Sequence, residues 1–147
     1  ADELLLEVLL GEPAEVGQDY CAATVNSTGV PCDLSWSGLP SLSAPSLVLH
    51  ADGGVPSSPC RFLSSPAAQS LPFGNGWLCV GPPIEPLGDF VAFDDIGTAS
   101  AFVDLGSAPL LGVVPGEVRY FQVWYRDPAG FPEPYNLSDA VALTFLP

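Results

Sequence analysis

From Tyr20 to the end of the chain, short apolar runs recur between breaks rich in Gly, Pro, Asn and Asp. The runs lie at 20–26, 32–37, 46–51, 61–64, 77–80, 89–93, 99–105, 118–126 and 140–146. Between them stand stretches that favour turns: Asn26-Ser27-Thr28-Gly29, Asp52-Gly53-Gly54, Phe73-Gly74-Asn75-Gly76, Pro115-Gly116 and Asp127-Pro128-Ala129-Gly130. With 17 Pro and 15 Gly in 147 residues, no good helical window remains after residue 20. The pattern predicts an all-β domain, a two-sheet sandwich of jelly-roll or immunoglobulin-like kind.

Alternation assigns the core. Leu34 and Trp36 face inward from their run, as do Val141, Leu143 and Phe145 from the last one. In 118–126, Phe121, Val123 and Tyr125 form one face, and Tyr120, Gln122, Trp124 and Arg126 the other. That second face points outward yet carries two large aromatics.

Residues 1–19 differ from the body at 20–147. Six acids surround one apolar run, Leu4-Leu5-Leu6-Glu7-Val8-Leu9-Leu10, and Gly11 to Gly17 reads as a linker. As a strand, the run has one wholly apolar face made of Leu4, Leu6, Val8 and Leu10. A short helix fits its composition as well. The segment either pairs with its own body as an edge strand, joins a neighbour's sheet as a donor strand, or stands alone as a helix.

The formal charge is −14, from 17 acidic residues against Arg61, Arg119 and Arg126, so nucleic acid and anionic membrane are poor partners. No apolar run is long enough to span a bilayer. The chain has neither Met nor Lys and opens on Ala1, which is expected of a product processed from a secretory precursor. Lysine's absence also excludes a Lys–Asn isopeptide crosslink. Four cysteines, Cys21, Cys32, Cys60 and Cys79, predict two disulfides in an oxidising compartment, with three connectivities open.

Several motifs in order resemble a secreted module found at the C-terminal end of exported planctomycete and myxobacterial surface proteins. They are Tyr20-Cys21, Asn26-Ser27-Thr28-Gly29, Phe73-Gly74-Asn75-Gly76-Trp77-Leu78-Cys79-Val80, Phe121-Gln122-Val123-Trp124-Tyr125-Arg126-Asp127-Pro128 and Asn136-Leu137-Ser138-Asp139-Ala140-Val141. The resemblance covers residues 20–147. It implies a secreted β-sandwich without an established activity, and no catalytic residue carries over. It also implies the pairing Cys21–Cys79 and Cys32–Cys60.

Candidates for chemistry are few. The single histidine, His50, falls opposite the apolar Leu47/Leu49 face, and there is no Gly-x-Ser-x-Gly elbow. Asp89, Asp94, Asp95 and Asp104 are the nearest approach to a carboxylate cluster and read as solubilising turn acids. A calcium site is the sharper alternative for these acids, although no Asp-x-Asp-x-Asp-Gly loop is present; no zinc site and no cofactor is expected. Asn26 and Asn136 stand in glycosylation sequons but also in turns. Tyr120 and Trp124, roughly 13 Å apart on one strand face, form a candidate protein contact or polysaccharide-stacking surface, or else pack in the ordinary way under a loop or the N-terminal arm. The function expected is a non-enzymatic structural subunit of an extracellular bacterial assembly (filament, sheath or surface layer) whose partners are other copies of itself. The alternative is a carbohydrate-binding or adhesive module.

Overall fold

The computed structural model describes residues 16–147; the apolar run at Leu4, Leu6, Val8 and Leu10 lies outside them. The described chain is all-β, with ten strands in order: β1 (Gly17–Tyr20), β2 (Asp33–Ser37), β3 (Val48–Asp52), β4 (Pro59–Ser65), β5 (Ala68–Phe73), β6 (Gly76–Val80), β7 (Glu85–Ala92), β8 (Ala99–Phe102), β9 (Val118–Arg126) and β10 (Tyr135–Thr144). They form three antiparallel sheets, β1-β10-β9-β4-β7, β2-β3-β8 and the hairpin β5-β6.

The core lies between the five-stranded and three-stranded sheets. Phe62, Phe121, Val123, Tyr125, Val141 and Leu143 enter it from the larger sheet, and Leu34, Leu49, Ala51 and Ala99 from the smaller. These are the residues that strict alternation turns inward, since a pleated strand with one buried face places every second side chain there. The body begins earlier than the composition shift implies. β1 starts at Gly17, where Gly17 pairs with Leu143, so residues 17–19 belong to the sheet and not to a linker.

The hairpin β5-β6 packs on the opposite face of the larger sheet, and Gln122 is the reason it stays there. Gln122 is fully buried. Its Oε1 accepts from the Cys79 amide at 2.9 Å, and its Nε2 donates to the carbonyls of Trp77 at 2.9 Å and Ser138 at 2.7 Å. An outward-facing polar residue by alternation thus becomes an anchor between layers. The hairpin turn needs glycine at Gly74, where φ is +59° and a Cβ would sit 2.6 Å from the Tyr135 ring.

One disulfide is present, Cys21–Cys79, tying the end of β1 to β6. The expectation of two fails. Cys32 and Cys60 are free, buried thiols, Cys60 on β4 and Cys32 just before β2, both packed among the core hydrophobics. Burial pushes both upward in pKa, Cys60 to about 11, so they behave as small apolar groups and not as nucleophiles.

Candidate functional site: an aromatic trough on the larger sheet

The face of the larger sheet that the hairpin leaves uncovered carries a row of side chains across adjacent strands. Leu137 on β10 pairs with Trp124 on β9, which pairs with Arg61 on β4. Directly paired residues share a sheet face. At the next strand the register slips, because Cys60 pairs with Val91 and Phe62 with Leu87, so Gly88, Asp89 and Phe90 stand opposite the single Arg61. This bulge, with Gly88 at φ +70°, swings Phe90 into the row.

The row is held by ring contacts. Trp124 meets Phe90 edge-on at 6.1 Å and Tyr135 at 6.0 Å, and Tyr135 meets Phe73 of the hairpin at 5.5 Å. The Arg61 guanidinium lies 4.7 Å over the Phe90 ring, and its Nε donates to the Gly88 carbonyl at 3.1 Å. Leu63, Leu78, Ile84 and Leu137 join Arg61, Phe73, Phe90 and Trp124 in bounding an open trough of about 320 Å³. Phe73 and Phe90 remain 41% and 53% exposed around it. Among the described residues Arg61 is the trough's only charged lining residue. The one ion pair among the described residues joins Arg119 to Glu117 at 2.8 Å, away from the trough.

Tyr120 and Trp124, expected to form one platform, are kept apart. Gln122 between them lies beneath β6. Tyr120 is drawn to the other side, edge-on to Tyr20 at 5.7 Å, whose hydroxyl donates to the Cys79 carbonyl. Trp124 thus belongs to the trough and Tyr120 to the packing around β1. Phe90 and Arg61 were missed as site residues because the bulge that brings them together leaves no periodic mark.

Both sequon asparagines point inward. Asn26 Nδ2 donates to the Gly53 carbonyl and the Tyr125 hydroxyl. Asn136 is fully buried and its Oδ1 accepts from Thr24 Oγ1 at 2.9 Å. Each side-chain amide is thus hydrogen-bonded within the fold. The acids Asp94 and Asp104 cap their own turns, accepting from the amides of Ile96 and Thr98, and of Gly106, respectively. Among the described residues no group of three or more His, Cys, Asp or Glu is placed to hold a metal ion, and no helix is long and apolar enough to cross a membrane.

His50 does make a contact that the sequence did not reveal. Its Nε2 lies 2.8 Å from Ser37 Oγ and its Nδ1 2.9 Å from Ser100 Oγ, on the outer face of the smaller sheet. The third position is a hydroxyl where a triad needs a carboxylate to orient and charge-balance the ring.

One half-buried acid links the sheets. Asp139 accepts the Leu34 amide at 2.7 Å, and burial, reinforced by Asp19 and Asp33, raises its carboxyl to about 6. Between the ordinary carboxylate range and that value the folded chain binds the extra proton, so this group's contribution to stability falls as pH rises through the interval and is level above it. Asp139→Asn keeps an oxygen for Leu34 and removes the charge. Relative to the unaltered chain, its urea midpoint should improve progressively from about pH 4 to about pH 7; a difference independent of pH would refute the assignment.

Comparison of the chain with family models, with curated proteins and with solved structures finds no match.

Proposed function

We propose that the protein is a secreted, non-enzymatic structural subunit of an extracellular bacterial assembly, built on a two-sheet sandwich of jelly-roll or immunoglobulin-like kind. It polymerises when the N-terminal run of one copy is donated to the next. The observation that carries this reading is the trough. A chain of net charge −14 leaves a contiguous aromatic surface open around Trp124, and exposed apolar patches of this kind mark contact surfaces. Head-to-tail donation uses two different surfaces of one molecule, which is the geometry that propagates into filaments. The cysteine pair Cys21–Cys79 fits an oxidising compartment, and the resemblance to exported surface modules agrees with that placement.

The alternative, a carbohydrate-binding module, retains Trp124 and Phe90 as stacking rings. Beyond Arg61, however, the trough is lined by apolar side chains, whereas sugars also require polar groups that take their hydroxyls.

Removing residues 1–15 separates the readings. The full chain is expected to form polymers visible by negative-stain microscopy and light scattering, and the truncated chain to remain a monomer with an unchanged far-ultraviolet spectrum. Unchanged particle size after truncation would defeat the assembly reading. Polysaccharide retention that Trp124→Ala abolishes would favour the alternative.

A further inference from the structure

The geometry points to the aromatic trough as the acceptor for the N-terminal run of a neighbouring copy, with Glu7 of that copy paired to Arg61 at the rim. This inference rests on the assembly reading and adds the identity of the receiving surface. Three depressions among the described residues are large enough to take apolar side chains. One, of about 380 Å³, is the seam between the edge strands β7 and β8, floored by Phe62 and Ala101; a second, of about 360 Å³, lies beside β1 between Tyr20 and Tyr120; the third is the trough, of about 320 Å³. Charge decides among them: the depression beside β1 has no charged lining residue to meet Glu7. The seam carries Asp89 and Asp104, which would stand beside an incoming segment that holds Asp2, Glu3 and Glu7. The trough carries no acid among its lining residues and one cation, Arg61.

That cation is also prepared. Its Nε is occupied by the Gly88 carbonyl and its plane rests on Phe90, so the side chain is held in place before a partner arrives and its remaining donors are available to a carboxylate. The run matches both halves of the surface. Glu7 is its single charge, with three leucines before it and Val8-Leu9-Leu10 after it. A carboxylate flanked by apolar side chains is what a carbon-lined trough with one fixed guanidinium would select.

A second copy is the donor that the assembly reading requires, and the start of the described chain lies away from the trough. β1, where the described chain starts, is at the far edge of the larger sheet from β4 and β7. Gly17 also pairs near the C-terminal end of β10, whereas Leu137 lies toward its start. The hairpin β5-β6 packs over the intervening face.

The test is a charge swap in the full chain, read as the protein concentration at half-assembly by light scattering. Glu7→Arg and Arg61→Glu should each raise that concentration about tenfold or more, because like charges then meet at a partly desolvated contact. The double variant should return it close to the original. Phe90→Asp, at an exposed position, should raise it about thirtyfold as the loss of an aromatic anchor, and thermal unfolding of each variant shows whether the body is intact. If removing residues 1–15 abolishes assembly but the charge swap gives no rescue and Phe90→Asp has no effect, the trough is not the acceptor while donation stands. If removal of the run leaves assembly unchanged, donation itself fails and the acceptor assignment with it. Intramolecular crosslinks from the run to the trough in monomeric full chain would also overturn the assignment.

Discussion

Replacing Cys21 with serine and Cys79 with alanine should lower the unfolding free energy by about 4 kcal/mol, the entropy that a crosslink spanning such a loop removes from the unfolded chain. The two residues are 58 apart in sequence, and the bridge joins elements that few other contacts connect, the end of β1 and the hairpin strand β6. The expected signature is a lower urea midpoint with a similar or slightly steeper slope, since an uncrosslinked chain exposes more surface when it unfolds. The unaltered chain, unfolded without reductant, should titrate as two thiols, Cys32 and Cys60. Four thiols would show that the bridge does not form, and none would show that the two core thiols are joined after all.

Gln122→Leu should be almost as damaging, at roughly 3 kcal/mol or more, although it replaces a polar residue by an apolar one of similar size. The loss follows from what is left behind. The Cys79 amide and the Ser138 carbonyl would each lose a partner at a buried site and the Trp77 carbonyl at a part-buried one, and each orphaned buried group costs about 1–3 kcal/mol. Two of the three belong to β6, so the damage is directional: amide exchange in β5 and β6 should accelerate well before that of β9 and β10. Uniform acceleration across the molecule would mean that the hairpin is not anchored through this side chain. Because the hairpin forms one wall of the trough, assembly should weaken in the same variant even where the core remains folded.

These two effects show where sequence and structure part. The strand at Val118–Arg126 and the inward set Phe121, Val123, Tyr125, Val141 and Leu143 were legible because one face of each strand is dry, and a dry face forces a period of two. β5 was not, because Ala68-Gln69-Ser70-Leu71-Pro72-Phe73 has little apolar alternation and is mostly exposed. Gln122 read as outward for a correct reason, the parity of its strand, yet a third layer covers that face, and layering leaves no trace in alternation. The trough was half visible. Trp124 stood out as an aromatic on a polar face, but its neighbours Arg61 and Phe90 come from strands far away in sequence, and Phe90 arrives only through a bulge. The cysteines were countable, while which of them bond and which stay free in the core, as Cys32 and Cys60 do, is not encoded in their spacing.

The trough also links the fold to the proposed role. Its floor requires the register of β10, β9 and β4, its edge requires the bulge in β7, and its wall requires the hairpin held by Gln122 and by the Cys21–Cys79 bridge. The same interactions that stabilise the body therefore shape the surface through which copies would meet.

Electron cryomicroscopy of polymers grown from the full chain tests the account most directly. The account predicts that each subunit's trough, between Trp124, Phe90 and Arg61, is filled by residues 4–10 of the adjacent copy, with Glu7 against the guanidinium. Polymers in which the trough is empty, or a full chain that stays solitary at every concentration, would contradict it.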